Sequence, residues 1–303
     1  MSASEIALPL QMGAHTIWTL RRRLVPYRLS LAEALAADLP RLVPLARRDD
    51  GYLITSVPAA WRAGLIALHP ELRAFIRQRY WRRYARLDLA FDDYWAGLSA
   101  KGRSTLKRKS RKLAVRSGGV LAISCHRTPE EIRAFHAAAR EVSKLSYQER
   151  LLDAGLPDGP DALADMCALA SRDAVRAWLL HLDGRAIAYL YAPADGDVLL
   201  YAHLGYDPAH ATLSPGSVLQ IEAMRQLMAE DRFRFFDFTE GDGQHKRQFA
   251  TDGIDCVDLL LVRPTLSNLF VTSILGGFDG FLAAAKRLLA ASGGESRIRS
   301  LLR

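Results

Sequence analysis

The sequence predicts a mixed α/β (α+β) fold, in which a mainly antiparallel sheet is flanked by helices. Residues 175–182 and 185–192 are apolar strands joined by Asp183-Gly184, which is a strong hairpin signal. A strand, a helix and a second strand follow at residues 198–204, 217–229 and 234–238. Antiparallel strands followed by such a crossover are typical of layered folds that mix helices and strands.

The first 90 residues are rich in arginine and tryptophan and carry weaker signals. Residues 30–39 and 70–84 have helical patterns, whereas residues 51–57 alternate like a strand. The aromatic side chains of segment 77–86 recur at helical spacing, so we expect them on the core face of a helix.

Clear start and stop signals mark the helices between this region and the hairpin. A basic helix over residues 98–116 ends at Gly118-Gly119, and a strand follows at residues 120–126. The next helix begins with Thr128 as N-cap, a proline at the first helical position and an acidic residue three after the cap. A further helix is predicted over residues 161–171.

Beyond the crossover, residues 256–262 form the last predicted strand. Residues 266–290 have an amphipathic helical pattern, which we expect to be interrupted at Gly276-Gly277. The signals together predict three parts, which are an N-terminal unit over residues 1–90, a main domain over residues 91–264 and a helical tail over residues 265–303.

Length and composition are typical of soluble globular proteins. Of the 303 residues 50% are hydrophobic and 24% are charged, so the chain can bury a sizeable core. No apolar run reaches the roughly 18–20 residues that span a bilayer, and we expect no transmembrane segment. Apolar residues precede Arg21 to Arg23, the reverse of a secretory signal, so we expect a cytoplasmic location, with peripheral membrane association as the alternative.

The three cysteines, Cys125, Cys167 and Cys256, are scattered along the chain. They have neither metal-ligand spacing nor a pattern for disulfides, so we expect a reducing compartment and no metal site. The sequence also lacks the motifs of Walker-loop proteins, dinucleotide enzymes and Ser-His-Asp hydrolases.

The net charge of +8 is concentrated, with eight basic residues in the run 101–116. The simplest interpretation is an amphipathic helix with a solvated basic face. The alternative is an anionic partner, such as a lipid-linked sugar phosphate, a membrane surface or tRNA. No aromatic side chains are interleaved in the run, which counts against single-stranded nucleic acid, and we expect no specific nucleic-acid ligand.

Four short motifs follow the hairpin in order. They are Tyr206-Asp207-Pro208, Ser214-Pro215-Gly216, Phe236-Asp237-Phe238 and Gly241 with His245-Lys246. On these motifs the sequence resembles the GNAT acyltransferase superfamily over residues 91–262. More narrowly it resembles the CelD/BcsL branch, whose proteins are associated with cellulose and exopolysaccharide biosynthesis and are distantly similar to the FemAB peptidyltransferases. The hairpin turn and the basic helix match the same branch.

Two sites depart from the family pattern. Leu213 and Val218 stand at the outer positions of the phosphate loop, where the superfamily carries Arg or Gln and Gly or Ala, so Gly216 alone is kept. His245-Lys246 stands where the branch usually has Tyr-Lys. The first departure concerns the donor site and the second concerns the catalytic site.

The resemblance implies that the chain binds acetyl-CoA or another acyl-CoA as a substrate. The CoA pyrophosphate would bind where the helix after Gly216 begins, because first-turn amides are unpaired donors and glycine permits a positive φ. The implied donor-binding residues are Leu204, Ser214, Gly216, Ser217 and Val218. The alternative is a helix that binds nothing, with Ser214 as its N-cap and Pro215 at its first position.

Acyl transfer needs a neutral nucleophile, a donor for the oxyanion and often an acid for the leaving thiolate. The resemblance assigns the oxyanion to a backbone amide near Leu204. The catalytic candidates are Asp237, Glu240 and Asp242 as bases, His203 as a further base, His245 as acid or proton shuttle and Lys246 as an anion-binding charge. For each side chain alone, a solvated loop residue is an equally good interpretation.

These inferences predict a GNAT-like acyltransferase with a small-molecule or sugar-linked acceptor. By resemblance it would act in polysaccharide or envelope biosynthesis, and residues 1–90 would be a partial or degenerate GNAT-like unit. One alternative is a FemAB-like transferase that takes an aminoacyl group from charged tRNA. A second alternative is a non-catalytic module that keeps the fold for binding.

Overall fold

The computed structural model of the protein describes residues 2–12, 15–36, 38–146, 155–241 and 243–291. The strands are β1 (Ser4–Met12), β2 (His15–Arg28), β3 (Gly51–Pro58), β4 (Arg73–Arg86), β5 (Ala122–His126), β6 (Val175–Leu182), β7 (Arg185–Asp195), β8 (Val198–Leu200), β9 (His203–Tyr206), β10 (Phe235–Asp237) and β11 (Asp252–Val262). The α-helices are α1 (Leu31–Leu35), α2 (Arg62–Leu68), α3 (Phe91–Gly97), α4 (Ala100–Arg116), α5 (Pro129–Leu145), α6 (Pro160–Ala170), α7 (Pro215–Glu230), α8 (Gln244–Phe249) and α9 (Leu266–Ala291). Two 3₁₀ helices, Ala59–Trp61 and Pro208–Leu213, precede α2 and α7. Within the described ranges, no helix is long and apolar enough to cross a membrane.

The chain divides into two compact units. Unit 1 comprises Met1–Tyr80 and Asp255–Arg303, and unit 2 comprises Trp81–Ile254. The sequence predicts boundaries after residues 90 and 264, whereas the structural divisions fall within β4 and β11. Helix α9, predicted as a separate tail, belongs to unit 1 because it packs on strands of that unit. That the N-terminal residues form a degenerate GNAT-like unit stays a prediction.

The strands of unit 1 pair in the order β1, β2, β3 and β11. The β2–β3 pair is parallel, and the pairs on either side of it are antiparallel. The sequence predicts neither β1 nor β2. Helix α9 buries Val271 and Leu275 in the same cluster as Leu8 and Leu10 of β1. It also continues through the predicted break at Gly276-Gly277, because neither glycine leaves the negative-φ region and the buried face holds the helical path.

The helix predicted over residues 70–84 is wrong, because most of this segment is the strand β4. Near the end of the strand, Trp81 is exposed while Arg82 and Tyr84 are buried, which is the alternation of a pleated strand. Arginine and aromatic residues are compatible with the periodicity of a helix and with that of a strand, since their long side chains can cover apolar surface from both. Here β4 is fixed by distant partners, because Tyr84 to Arg86 pair antiparallel with β10.

The sheet of unit 2 runs from the end of β4 through β10, β8, β7 and β6 to β5. The β8–β10 pair is parallel and the other pairs are antiparallel. Helices α5 and α6 bury residues such as Phe135 against one face, and α3, α4 and α7 cover the face that carries Trp178. The predicted hairpin turn is present, with Asp183 and Gly184 both at positive φ. The predicted fold class, a mainly antiparallel mixed sheet flanked by helices, is confirmed.

Candidate functional site

The sheet of unit 2 opens between β9 and the end of β10. The sequence predicts one strand over residues 198–204, whereas the structure has β8 and β9 with a break at Tyr201 and Ala202. β8 pairs with β10 as far as Leu200 and Asp237, and the Tyr201 N–H then donates to the Asp237 carbonyl at 2.8 Å. β9 pairs with β7 instead. We call this separation the fork. Open α/β sheets bind ligands beyond the carboxyl ends of strands that part in this way.

The turn that starts α7 differs from the predicted turn. Ser214 stands at the N-cap position, but its backbone is left-handed (φ 51°, ψ 53°) and its side chain makes no capping hydrogen bond. Gly216, for which we expected a positive φ, is helical. Because the helix already begins at Pro215, the left-handed residue is the one before it. The N–H groups of Ser217 and Val218 donate to the Ser214 carbonyl at 3.1 and 3.2 Å.

Gly216 is needed for close packing and not for its φ. A Cβ at this position would lie 2.9 Å from Leu204 Cδ2 and 3.5 Å from Tyr206 Cδ1, so either the end of the Leu204 side chain or the start of α7 would have to shift. The start of α7 therefore lies directly on the strand that borders the fork. The structure brings the implied donor-binding residues together there, although Val218 is fully buried and contributes packing.

Helix α4 brings positive charge to the same place. Its apolar side, Leu106 and Leu113, is buried in the core of unit 2. Lys109 Nζ donates to the carbonyl of Thr212, two residues before Ser214. Six other basic side chains of this helix are exposed, namely Lys101, Lys107, Arg108, Arg111, Lys112 and Arg116. An anionic partner for this basic face stays a prediction.

Asp237 is part of a buried ion pair. Its Oδ2 accepts hydrogen bonds from Arg82 Nε at 3.0 Å and Arg82 Nη2 at 2.6 Å, and its Oδ1 accepts from the Thr239 N–H at 2.8 Å. The two side chains are 0% and 2% exposed. Both carboxylate oxygens are therefore held by the protein, which is the geometry of a structural anchor for the end of β10.

His245 lies in an aromatic cluster beside the fork. Its ring centroid is 5.7 Å from that of Tyr201 and 5.0 Å from that of Phe249. Burial, followed by the charge of Lys246, lowers the pKa of His245 to about 4. Its Nε2 is buried and has no hydrogen-bond partner among the described residues. A histidine with a pKa lowered in this way is neutral at pH 7. The role of proton shuttle that the sequence suggests for His245 stays a prediction.

Lys246 follows His245 in α8 and is half-buried. Its Nζ donates to the carbonyl of Glu240, whose side chain is exposed. Burial lowers the pKa of Lys246, while the charges of Asp237 and Glu240 act in the opposite direction. An ammonium group of lowered pKa gives up its proton more readily than an ordinary lysine. The remaining predicted base, Asp242, lies outside the described residues.

Sequence reasoning missed Tyr201, Arg82 and Lys109. The Tyr201 ring contacts Phe236, Phe238 and His245, and burial raises the pKa of its hydroxyl, so the phenol stays protonated. No local sequence pattern marks the break at Tyr201, because residues 198–204 have the pattern of one continuous apolar strand. His203, the further predicted base, is half-buried beside Tyr191, and burial lowers its pKa.

A cavity of about 920 Å³ lies elsewhere in unit 2. It is lined by the last turns of α5, the β6–β7 turn and the segment after β9, through residues that include Glu141, Lys144, Asp183, Arg185, Asp207 and His210. None of the predicted catalytic residues lines it. In the described part of the chain, no group of three or more His, Cys, Asp or Glu side chains could hold a metal ion.

Comparison with solved structures finds matches at low sequence identity. FemX is 12% identical with a TM-score of 0.56, over 86% of this chain and 88% of FemX. L-PGS from Bacillus licheniformis is 14% identical with a TM-score of 0.48, over 74% of this chain and 73% of that chain. A GCN5-related N-acetyltransferase from Kribbella flavida is 15% identical with a TM-score of 0.35, over 88% of this chain and 92% of that chain. At these identities the similarity to FemX concerns the fold alone.

Comparison with curated proteins finds no significant sequence match. Residues 100–247 match the family model of the acetyltransferase (GNAT) domain. The matched span includes α4, the fork, α7 and the predicted site residues up to Lys246. The segment that is similar to the acetyltransferase (GNAT) domain, residues 100–247, therefore lies within unit 2.

Proposed function

We propose that this domain transfers an acyl group from an acyl-CoA, such as acetyl-CoA, to an amine or hydroxyl acceptor. The observation that carries the proposal is the fork, with the start of α7 packed on the strand that borders it. In this proposal the thioester arm lies along the parted strands, and a helix start beside them suits phosphate groups.

In the proposed donor complex, the pyrophosphate lies at the start of α7. Ser214, Gly216 and Ser217 supply main-chain or hydroxyl donors, and the first-turn dipole favours the negative charge. Lys109 adds a point charge beside them, since its ammonium group already reaches the Thr212 carbonyl. This charge partly replaces the Arg or Gln that the phosphate loop lacks.

The proposed reaction is direct attack in a ternary complex. The acceptor nitrogen or oxygen bonds to the thioester carbonyl carbon, the carbon–sulfur bond breaks, and the acceptor loses a proton while the thiolate gains one. A backbone N–H near Leu204 would stabilise the oxyanion. We assign the proton for the thiolate to Lys246, because burial lowers the pKa of its ammonium group while His245 is neutral at pH 7. Glu240 and Asp242 remain candidate bases, whereas Asp237 would hold the loop through Arg82.

The acceptor class and biological role are proposals drawn from resemblance. A CelD/BcsL-like function would use a sugar-linked acceptor in polysaccharide or envelope biosynthesis.

A FemAB-like transfer from aminoacyl-tRNA is the second candidate. It is favoured by the six exposed cations of α4 and by the similarity of fold to FemX. A non-catalytic module with the same fold is the third. The three candidate functions differ in what the protein binds and converts. The first uses an acyl-CoA, whose arm carries the thioester, and the second uses charged tRNA, which carries many phosphates. The third converts neither.

The test combines binding and turnover on the full chain. We expect CoA to raise the melting temperature, and acetyl-CoA to release free thiol when an amine-bearing or sugar-linked acceptor is added. Salt-sensitive binding of charged tRNA without any effect of CoA would favour the second candidate. Binding of CoA with no thiol release across a broad acceptor panel would favour the third.

A further inference from the structure

The hairpin of β1 and β2 extends beyond the rest of the sheet of unit 1 as a two-stranded ribbon. The two strands pair with each other as far as Met12 and His15. In contrast, β2 pairs with β3 only over Leu24–Arg28. We call residues 4–12 and 15–23 the ribbon, and nine residues of strand span about 30 Å. Among the described strands, none other pairs with these residues.

One face of the ribbon packs against helix α9. Leu8 and Leu10 of β1 are buried in the cluster to which α9 contributes Leu275. On β2, Arg22 Nη2 donates to the carbonyl of Ser267 at 2.9 Å. These contacts lie within unit 1 and hold the ribbon, so that its end has a defined position in the unit.

The end of the ribbon exposes three large apolar side chains. Met12, Ile17 and Trp18 are 47%, 57% and 68% exposed. Trp18 stands directly across from Leu10, so the apolar face that is buried at Leu10 continues as exposed surface at the tryptophan. Single exposed apolar side chains are common, whereas a cluster of them marks a surface that binds something. The end of the ribbon is therefore a candidate contact surface.

The ribbon is poorly suited to a protein partner. A β-bulge at Ile17 interrupts the register, and Pro9 on the outer strand β1 has no N–H to donate, so another strand would pair badly along this edge. Three partly exposed side chains of this size present at most about 500 Å². Each partner in a stable protein interface buries about 800 Å². A lipid surface requires neither strand pairing nor a complementary shape.

Positive charge lies next to the apolar end. Arg21, Arg22 and Arg23 follow Trp18 by three to five residues, and Glu5 is the one acidic residue of the ribbon. Arg21 and Arg23 form ion pairs, but their side chains remain more than half exposed. Unit 1 has 17 Lys and Arg against 10 Asp and Glu, so it carries seven of the eight net positive charges of the chain. This charge complements an anionic lipid surface.

We propose that the end of the ribbon inserts into the surface of an anionic lipid bilayer. Trp18 would lie at the level of the lipid headgroups, which tryptophan prefers, and the arginines would contact lipid phosphates. Apolar insertion and charge attraction act together, which gives firmer binding than either alone. This proposal does not rest on the proposed function, because the ribbon lies in unit 1 and the segment similar to the acetyltransferase domain lies in unit 2.

The test is co-sedimentation of the full chain with vesicles. We expect binding to vesicles of equal parts phosphatidylcholine and phosphatidylglycerol, much weaker binding to pure phosphatidylcholine, and a loss of binding as salt is added. The double variant Ile17→Ser/Trp18→Ser should bind the anionic vesicles more weakly, by about tenfold for each apolar side chain lost. Its melting temperature and its affinity for CoA should equal those of the wild type, since both side chains are exposed and lie outside unit 2.

The variant Trp18→Phe reports on the depth of the tryptophan. It keeps an aromatic side chain and should still bind anionic vesicles. We expect the tryptophan fluorescence of the wild type to shift to shorter wavelength on these vesicles, because Trp18 leaves water. The shift should be lost in Trp18→Phe, and an equal shift in both proteins would place Trp18 outside the lipid and contradict the proposal.

The matched control is Trp81→Ser/Val120→Ser, which removes an exposed tryptophan and an exposed β-branched side chain from unit 2. It should bind anionic vesicles as the wild type does. If Ile17→Ser/Trp18→Ser also binds them as tightly as the wild type, or if the wild type binds none, the proposal is wrong. A lower melting temperature of that double variant, or a change in its oligomeric state in sedimentation velocity, would also overturn it. The ribbon end would then be covered by the chain itself or by a second copy.

Discussion

Arg82 and Asp237 form an ion pair that is almost completely removed from solvent. The Arg82 Nη2 lies 2.6 Å from Asp237 Oδ2, and the side chains are 2% and 0% exposed. Arg82 lies on β4 and Asp237 at the end of β10, where the fork begins. The pair therefore links β10, the strand at which the fork begins, to the neighbouring strand β4.

Asp237→Ala should destabilise the protein by about 3–5 kcal/mol, because it leaves the Arg82 guanidinium buried without its counter-charge. Urea unfolding at pH 7 measures the loss. Arg79→Ala is the control, since it breaks an exposed pair with Asp255 and should change stability little. Wild-type stability with a selective loss of turnover in Asp237→Ala would instead support the catalytic base that the sequence predicts.

The sequence predicts the fold of unit 2 better than that of unit 1, and the reason is local information. Thr128 caps α5 and Asp183-Gly184 turns the hairpin through interactions within a few residues, so both are legible in the sequence. The sequence predicts a helix in place of β4, because this strand depends on partners such as Asp237, which is separated from Arg82 by 155 positions. No local pattern carries such information.

The same contrast between local and distant interactions applies to the candidate site. The sequence locates the start of α7 and the polar segment after β10, because motifs at fixed spacing mark them. It cannot give the environment of each side chain. The sequence suggests that His245 titrates near neutrality, whereas in the structure the aromatic cluster buries its ring and lowers its pKa. The sequence also suggests Asp237 as a base, whereas in the structure its carboxylate accepts hydrogen bonds from Arg82.

Two adjacent glycines of α9 should respond differently to substitution. A Cβ on Gly277 would have no atom within 4 Å, so Gly277→Ala should stabilise the protein by about 0.5–1 kcal/mol through helix propensity. A Cβ on Gly276 would lie 3.3 Å from Phe75 Cε2, so Gly276→Ala should gain less or lose stability. Urea unfolding of both variants is the measurement, and equal gains would contradict the packing of Phe75 on the helix.

Gly216→Ala should be destabilising, because the new methyl group would lie 2.9 Å from Leu204 Cδ2, so that the Leu204 side chain or the start of α7 must shift. Overpacking of this kind costs about 1–3 kcal/mol. We also expect weaker CoA binding, measured by calorimetry, since the start of α7 shifts. Gly243→Ala is the control, because a Cβ there meets nothing within 4 Å. Unchanged stability and CoA affinity in Gly216→Ala would contradict the close contact between Gly216 and Leu204.

Lys109→Met should weaken the binding of adenosine 3′,5′-bisphosphate about tenfold, a loss of about 1.4 kcal/mol, because the ammonium group beside Thr212 is removed. The difference from the wild type should shrink as salt is added. Lys107→Met is the matched control, since Lys107 is an exposed cation on the same helix. Equal effects of the two variants would mean that α4 acts through its total charge and not through Lys109.

His245 should make the stability of the protein depend on pH below neutrality. Burial lowers its pKa to about 4 in the folded state, whereas an unfolded histidine titrates near 6.5. Between these values the unfolded chain binds more protons, so the free energy of unfolding must fall as the pH is lowered from about 6.5 to about 4. A shift of this size corresponds to about 3 kcal/mol.

His245→Phe fits the contacts with Tyr201 and Phe249 and removes the titrating group. We expect its unfolding free energy, measured by urea titration at several pH values, to lose about 3 kcal/mol less than the wild type between pH 7 and pH 4. Tyr201→Phe changes the same cluster and should keep the wild-type pH dependence, because burial raises the pKa of the Tyr201 hydroxyl and it does not titrate in this window. Parallel pH profiles for His245→Phe and the wild type would show that His245 is solvated and able to serve as the proton shuttle that the sequence predicts.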